Sequence, residues 1–461
     1  MEILERAITE KKKILVLGFG KEGRAMTYFL LADVRIPRFA VADMNEEIIN
    51  DELFKDNPKI ELITGDNYLK AVNEFDLIIK SPGISSMKLG PLKKGAIVIS
   101  QMGLFLDSYS QQIIGITGTK GKSTTSSLIA FLISGMQKPV TLAGNIGVPV
   151  YEIVSKELNN NTIVLEISSH QLENSPASPH IAVLLNLFQE HLDHYPSFLD
   201  YQMAKWNIAK NQKPSDFFIY HYKDSLIQSL LNDNPIESGL LPFSNTDHGQ
   251  DGSFVKQGKI VHRIAGVEND ICSIETVNKV LPGRHNLLNV QAALLAIQAY
   301  GINAQEAVKN ITEFTPLEHR MEYVGCIQGK HFYNDSIATI PEATLQALEA
   351  LGDVSTLIIG GYDRGIDYTL LTDYLLSSFK GIVLYTGDAG KRIISQFPIN
   401  ADIHSRLYYF DDFSAMIAMA IKSTPVGGIC LLSPAAASYD QFKNFEERGR
   451  IYKDLVISLS K

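Results

Sequence analysis

The run IIGIT followed by Gly118, Thr119, Lys120, Gly121, Lys122, Ser123 and Thr124 carries the strongest chemical signal in the chain. Cradling a phosphate takes backbone N–H groups turned inward, a lysine to meet terminal phosphate charge and a hydroxyl for Mg²⁺. Gly118, Gly121, Lys122 and Ser123 supply those parts, although Gly115 lies one residue too far away for the generic G-x-x-x-x-G-K loop. An earlier turn, Gly18-Phe19-Gly20-Lys21-Glu22-Gly23, has the G-x-G-x-x-G spacing, with Asp43 ending the next apolar run. Such glycines permit a diphosphate to approach a helix N-terminus, and Asp43 can accept hydrogen bonds from a ribose; a plain strand-to-helix turn has the same spacing. VLEISSHQLE places Glu166 beside two serines, and LLNLFQEHLDHYP places His191, Asp193 and His194 after another apolar run. A carboxylate and an imidazole near strand ends can hold Mg²⁺, an ion that usually prefers oxygen.

The elements that must position these groups follow a βα rhythm. Before residue 110 the runs ILVLG (14–18), FAVAD (39–43), DLIIK (76–80) and AIVIS (96–100) alternate with helix-compatible stretches, as parallel βα units do. The phosphate-loop signal precedes TSSLIAFLISGM, a helix-compatible segment. Residues 213–280 are richer in Asn, Asp, Ser and Gly, and SFVKQGKIVHRI there reads as a hairpin turning at Gln-Gly, without chemistry. LPGRHNLLNVQAALLAIQAYG reads as a loop entering an apolar helix, with Arg284 and His285 as capping or solvated groups and Asn289 as a helix-surface amide. From about residue 323 a third αβ pattern appears, with STLIIGG, GIVLYTG and GICLLSP as strands. Gly360–Arg364 and Ser433–Ser438 follow two of them as candidate binding loops.

A chain of 461 residues exceeds one typical core and implies two to four domains. No uninterrupted apolar run is long enough to cross a bilayer, and a net charge of -9 without a basic tract leaves no footprint for nucleic acid. MEILERAITEKKK leads straight into ILVLG and lacks the order of a secretory signal, so cytoplasmic residence is expected. Cys272, Cys326 and Cys430 are widely spaced and fit neither a disulfide framework nor a zinc site; buried thiols are expected.

The ordered set GITGTKGKSTT, AGNIGVP, VLEISSHQLE, EHLDHYPSFLDYQMAK, LPGRHNLLN, EHRMEYV, NDSIAT and LLSPAAASYDQFKNFEERG resembles the Mur ligase family over nearly the whole chain. That family carries G-T-x-G-K-S/T-T in place of the generic loop. The resemblance implies an α/β protein of three domains: a Rossmann-like UDP-substrate domain (1–110), a central P-loop ATPase domain with a mostly parallel sheet (111–316), and a Rossmann-like C-terminal glutamate domain (317–461). It implies an ATP-dependent ligase that adds glutamate, D-glutamate preferred, to UDP-N-acetylmuramoyl-L-alanine through an acyl phosphate in peptidoglycan precursor synthesis. The implied form is a cytoplasmic monomer without nucleic-acid or membrane partners.

By the same resemblance, Lys21, Glu22, Asp43, Ser81, Pro82, Gly83 and Asn145 line the UDP-substrate site, where Met44, Asn45 and SQMGLF depart from the family pattern. Gly118, Thr119, Lys120, Gly121, Lys122, Ser123, Thr124, Asn289, Arg320 and Asp335 bind ATP. Ser123, Glu166, His191 and Lys205, the last as a carbamate, hold Mg²⁺ at two sites, and Lys122, Lys205 and His191 serve the catalytic step. Thr339, Arg364, Ser438 and Phe445 grip glutamate. The family's D-S-K-A-T-N reads Asp335-Ser336-Ile337-Ala338-Thr339-Ile340 here, which leaves a ligase for L-glutamate as an alternative. A folylpolyglutamate-synthase-like ligase conflicts with the first domain and the SYDQFKNF ending. A nucleotide-dependent oxidoreductase built on Gly18–Gly23 leaves Lys122, Lys205 and the C-terminal motifs unexplained.

Overall fold

The computed structural model describes residues 2–55, 57–146, 148–154, 161–188, 194–315 and 318–459. Among the described residues, aliphatic runs alternating with helices build three β-sheets. The first contains β1 (Ile14–Leu17), β2 (Phe39–Asp43), β3 (Ile60–Thr64), β4 (Leu77–Lys80) and β5 (Ile97–Ser100), ordered β3-β2-β1-β4-β5 and parallel throughout. Every residue of β1 is buried, Ile14 and Val16 in one apolar cluster and Leu15 and Leu17 in another, as expected of a strand covered on both faces. Strand β3 escapes the sequence reading because Glu61 and Thr64 interrupt its apolar run; its register with β2, from Phe39–Ile60 to Asp43–Thr64, defines it.

The central sheet contains β6 (Ile113–Thr117), β7 (Val140–Gly144), β8 (Thr162–Glu166), β9 (Ile181–Leu184), β10 (Phe217–His221), β11 (Gly239–Phe243), β12 (Gly252–Lys256), β13 (Lys259–Ile264) and β14 (Val267–Ser273). Their order is β14-β13-β12-β11-β10-β9-β6-β8-β7, parallel from β7 to β12 and antiparallel in the two edge hairpins. The expected hairpin turns at Gln257 and Gly258, with φ of 49° and 73°, as a two-residue turn matched to strand twist requires. Because β6 lies between β8 and β9, the loops leaving these three strands emerge side by side at the carboxyl edge, where open α/β sheets bind ligands.

The third sheet contains β15 (Glu322–Ile327), β16 (Lys330–Asn334), β17 (Val354–Gly360), β18 (Ile382–Thr386), β19 (Leu407–Tyr409) and β20 (Ile429–Leu432), ordered β15-β16-β20-β17-β18-β19. Only β15 runs antiparallel to its neighbour. Internal contacts divide the chain into two compact units, Met1–Val277 with Asn286–Phe314, and Asn278–His285 with Thr315–Lys461. The first two sheets share the first unit through a continuous cluster that includes Leu4, Val16, Phe105, Tyr151, Trp206 and Phe218. The second unit packs both faces of its own sheet, Leu357, Ile359 and Leu431 on one side and Ile358, Cys430 and Leu432 on the other.

The expectation of three buried thiols is corrected: Cys430 is buried in this core, but Cys272 is half-buried and Cys326 exposed. Cys326 sits on β15 at the sheet edge, where the core covers less of each side chain. Among the described residues no helix is long and apolar enough to cross a membrane.

Candidate active site

The loop after β6 ends at Gly121, the N-cap of helix Lys122–Gly135, with φ of 85° and no side-chain cap. The helix start therefore offers its first-turn N–H groups to an anion. A Cβ on Gly121 would stand 2.3 Å from Asn289 Oδ1. Asn289 is thus a buried amide packed against the loop, and the reading of it as a helix-surface group is corrected. The face of helix Arg284–Ala299 that carries it turns inward because its apolar neighbours Val290, Ala293 and Ile297 bury there.

Asn186, just beyond β9, braces the loop from the other side. Its Oδ1 accepts the Lys120 N–H (2.8 Å), its Nδ2 donates to Lys120 O (3.0 Å), and its carbonyl accepts the Thr119 N–H (3.0 Å). Thr119 Oγ1 accepts the Phe188 N–H at 2.9 Å and lies 3.0 Å from Tyr201 Oη. Two lysines converge on one carbonyl: Lys122 Nζ donates to Gly118 O (2.9 Å) and Thr119 O (3.0 Å), and Lys205 Nζ donates to Gly118 O (2.9 Å). Lys205, on helix Phe198–Lys210, is only 2% exposed and lies over the Tyr201 ring, 4.9 Å from its centroid. Thr124 is buried behind the loop, and Ser123 is half-buried.

Glu166 ends β8, in register with Ile116 of β6 and Gly144 of β7. Its Oε1 accepts from Asn145 Nδ2 (2.9 Å) and its carbonyl from the Asn145 N–H (2.9 Å), whereas Oε2 is buried without a hydrogen-bond partner. An orphaned buried carboxylate oxygen is costly in isolation and suits a hard cation, so Glu166 fits Mg²⁺ as an oxygen donor, a chemistry that the Ser123 hydroxyl shares. His191 and Asp193 lie outside the described residues. Among the described residues no three His, Cys, Asp or Glu side chains gather as a metal cluster.

In the first sheet, Asp43 braces the Gly18–Gly23 turn, Oδ2 accepting the Phe19 N–H (2.6 Å) and Oδ1 the Asn45 N–H (2.8 Å). A Cβ on Gly23 would fall 1.9 Å from Gly18 O, so only glycine permits this closeness of helix and strand. Ser81 Oγ donates to Gly18 O at 3.0 Å, joining the Ser81-Pro82-Gly83 loop to that turn. Lys21 is exposed. Glu22 Oε1 accepts from Gln171 Nε2 (2.6 Å) and Oε2 is buried and unpartnered. Burial pushes the Glu22 carboxyl above its ordinary pKa, against the opposing pull of Gln171 and Lys80.

The second unit assembles the remaining residues. Asp335, just past β16, accepts from Ser433 Oγ (2.8 Å) and the Met321 N–H (3.1 Å), and burial pushes its carboxyl up to about 7 despite these bonds and the Arg320 charge. Arg364 is exposed and donates Nη2 to Thr339 O at 3.0 Å, while Ser438 is buried. The Tyr362 N–H donates to Ala437 O (2.9 Å), and Ser336 Oγ to Phe445 O (2.8 Å), so the segments bearing Thr339, Arg364, Ser438 and Phe445 meet. Buried Arg448 cross-braces them through Ser336 Oγ (3.0 Å), Ser336 O (2.8 Å) and Ala436 O (3.1 Å). Ile337 and Ile340 are half-buried.

Sequence reasoning missed Asn186, Tyr201 and Arg448. Asn186 is signalled by an amide at the end of an apolar run, and Tyr201 by standing four residues before Lys205, on the same helix face. Arg448, in FEERG, gives no signal, because a charge on an amphipathic helix reads as solvated.

The Mur ligase middle domain model matches residues 116–297. A protein of Geobacillus sp. strain WCH70 named UDP-N-acetylmuramoylalanine–D-glutamate ligase is 34% identical over 99% of this chain and 99% of its own length. A protein of the same name from Latilactobacillus sakei is 33% identical over 98% of both chains. Among solved structures, a MurF ligase from Acinetobacter baumannii aligns over 92% of both chains with a TM-score of 0.61 at 13% identity. A MurF ligase from Thermotoga maritima in complex with ADP aligns over 96% of this chain and 95% of its own with a TM-score of 0.59 at 14% identity. Full-length likeness at a third identity, on a fold shared with these ligases and with the phosphate loop inside the matched middle domain, places the chain in the Mur ligase family.

Proposed function

We propose that the chain is an ATP-dependent ligase that joins D-glutamate to UDP-N-acetylmuramoyl-L-alanine in peptidoglycan precursor synthesis. The observation that carries this reading is the Gly118–Gly121 loop, with Lys122 and Lys205 on one carbonyl, and the unpartnered Glu166 oxygen at the end of the adjacent strand β8. The D-glutamate ligases similar over the full chain supply the substrates, and the ADP held by the Thermotoga maritima ligase supports the nucleotide.

A carboxylate does not accept an amine in water without a better leaving group. Transfer of the γ-phosphoryl group of ATP to the UDP-substrate carboxylate provides one as an acyl phosphate; the glutamate amine then attacks and phosphate departs. Lys122 and the Lys122–Gly135 helix start hold the phosphates, and the lysine neutralises charge that develops during transfer. Ser123, Glu166, His191 and Lys205 would hold Mg²⁺ at two sites, where it would supply further neutralisation. Lys205 would do so as a carbamate, because a bare ammonium repels a cation whereas a carbamate presents hard oxygens.

Asn289, Arg320 and Asp335 seat the nucleotide. Lys21, Glu22, Asp43, Ser81, Pro82, Gly83 and Asn145 receive the UDP substrate, and Thr339, Arg364, Ser438 and Phe445 the glutamate. Arg364 is the main carboxylate anchor, since its guanidinium can bind bidentately. These roles divide the chain at residues 110 and 316 into three functional domains, in a cytoplasmic monomer. Ile337 and Ile340 favour one alternative, L-glutamate on the same UDP substrate, because they remove polar groups beside Thr339. Phosphate release with UDP-N-acetylmuramoyl-L-alanine and either D- or L-glutamate at equal concentration tests both. Faster turnover with L-glutamate overturns the isomer, and release with neither overturns the acceptor.

A further inference from the structure

Lys80, the last residue of β4, has a side chain only 1% exposed, although an ammonium is costly to bury without a partner. Its Nζ donates to Ile84 O (2.6 Å) and lies 3.1 Å from Glu173 Oε2. Since the Ile84 N–H donates to Ser81 O (3.2 Å), Lys80 closes the loop that contains Ser81-Pro82-Gly83 on itself. Glu173 comes from the other sheet's side of the unit, directly after helix Ser169–Leu172 and seven residues beyond Glu166. Its Oε2 also accepts from Ser86 Oγ (2.9 Å), and its Oε1 is 2.7 Å from His194 Nε2. The His194 carbonyl accepts from Ser85 Oγ (3.0 Å). Burial pushes the Glu173 carboxyl upward, but Lys80, Ser86 and His194 outweigh it and hold the group below its ordinary value.

The neighbouring residue Gln171 repeats the pattern, its carbonyl accepting from Ser100 Oγ (2.5 Å) and its Nε2 donating to Glu22 (2.6 Å). The helix after β1, the loop after β4 and the last residue of β5 are therefore all fastened to one short segment, Gln171–Glu173. The fastening at β4 alone contains a buried cation and its counter-charge. A buried charge pair adds little net stability against an apolar replacement, but it tolerates only one arrangement, because any slip leaves charges unpaired.

We propose that Lys80, Glu173 and His194 form a positioning tie that fixes the Ser81-Pro82-Gly83 loop relative to the segment that follows Glu166 at the end of β8, and so keeps the grip on the UDP substrate in register with the phosphate site. The inference rests on the UDP-sugar ligase reading above. None of the three touches substrate in this role; they act through the loop.

The test compares the parent with Glu173→Gln, Lys80→Arg and the double variant Lys80→Met/Glu173→Gln, which buries no unpaired charge and guards against misfolding. Phosphate release gives kcat and KM for each substrate, and calorimetry without ATP gives binding of UDP-N-acetylmuramoyl-L-alanine. The double variant is expected to melt near the parent while its KM and Kd for the UDP substrate rise on the order of tenfold or more. KM for ATP and D-glutamate, and kcat, should change several-fold less, and Lys80→Arg should recover part of the UDP-substrate affinity. Unchanged UDP-substrate binding in the folded double variant, or equal rises in all three KM values, overturns the tie. A parent protein without phosphate release on UDP-N-acetylmuramoyl-L-alanine overturns instead the functional reading beneath it.

Discussion

Replacing Gly121 by alanine probes the phosphate loop without removing a functional group. At φ 85° an L-residue costs about 1–2 kcal/mol in backbone strain alone. The added Cβ would also lie 2.3 Å from Asn289 Oδ1, so the buried Asn289 amide must turn away and lose its 3.3 Å bond to Asn286. An unsatisfied buried amide costs a further ~1–3 kcal/mol. Urea unfolding of Gly121→Ala should therefore show a loss of about 2–5 kcal/mol, and phosphate release should show kcat/KM for ATP down at least about tenfold as the loop N–H groups are re-aimed. In an Asn289→Ala background the second term disappears, and Gly121→Ala should cost only the backbone strain, a coupling of about 1 kcal/mol or more. Equal costs in both backgrounds would show that Asn289 does not pack on the loop as described.

Lys122→Ala should lower kcat by about 10²–10³, near 3 kcal/mol, since the phosphate cradle loses its main cation; a near-normal rate of phosphate release would remove the loop from the chemistry. Lys205→Ala should be inactive and partly rescued by acetate, with bicarbonate helping only the parent, and intact mass under carbamate-preserving conditions should show the adduct in the parent. Full activity of this variant without rescue would exclude Lys205. Asp335, at about 7 when folded against an ordinary 3.8, keeps a proton in the native state that the unfolded chain has lost. Its contribution to stability is whole below about pH 4 and fades by up to ~4 kcal/mol as pH rises to 7 and above. Asp335→Asn should flatten that slope in urea unfolding at pH 5 and pH 8, and an unchanged slope would refute the burial argument. Arg364→Lys should raise KM for D-glutamate about tenfold or more and leave KM for ATP near the parent value, because an ammonium cannot bind a carboxylate bidentately; an unchanged D-glutamate KM would displace Arg364 as anchor.

The sequence by itself determined the glycine-lysine loop after β6, the parallel βα rhythm and the family, because these rest on local rules. Glycines at fixed spacing, a lysine after them and aliphatic runs of strand length are visible in a few consecutive residues, and strands such as FAVAD match the structure residue for residue. Strand β3 was illegible because a polar-interrupted run becomes a strand only beside β2. Asn289 passed for a helix-surface amide because periodicity does not say which face a neighbouring loop will cover. The tie of Lys80 to Glu173 spans 93 residues of sequence, and that of Arg448 to Ser336 spans 112. Such pairs leave no trace in spacing, since a buried charge and a solvated one are the same letter. Only the folded chain decides which lysines are taken from water and what then compensates them.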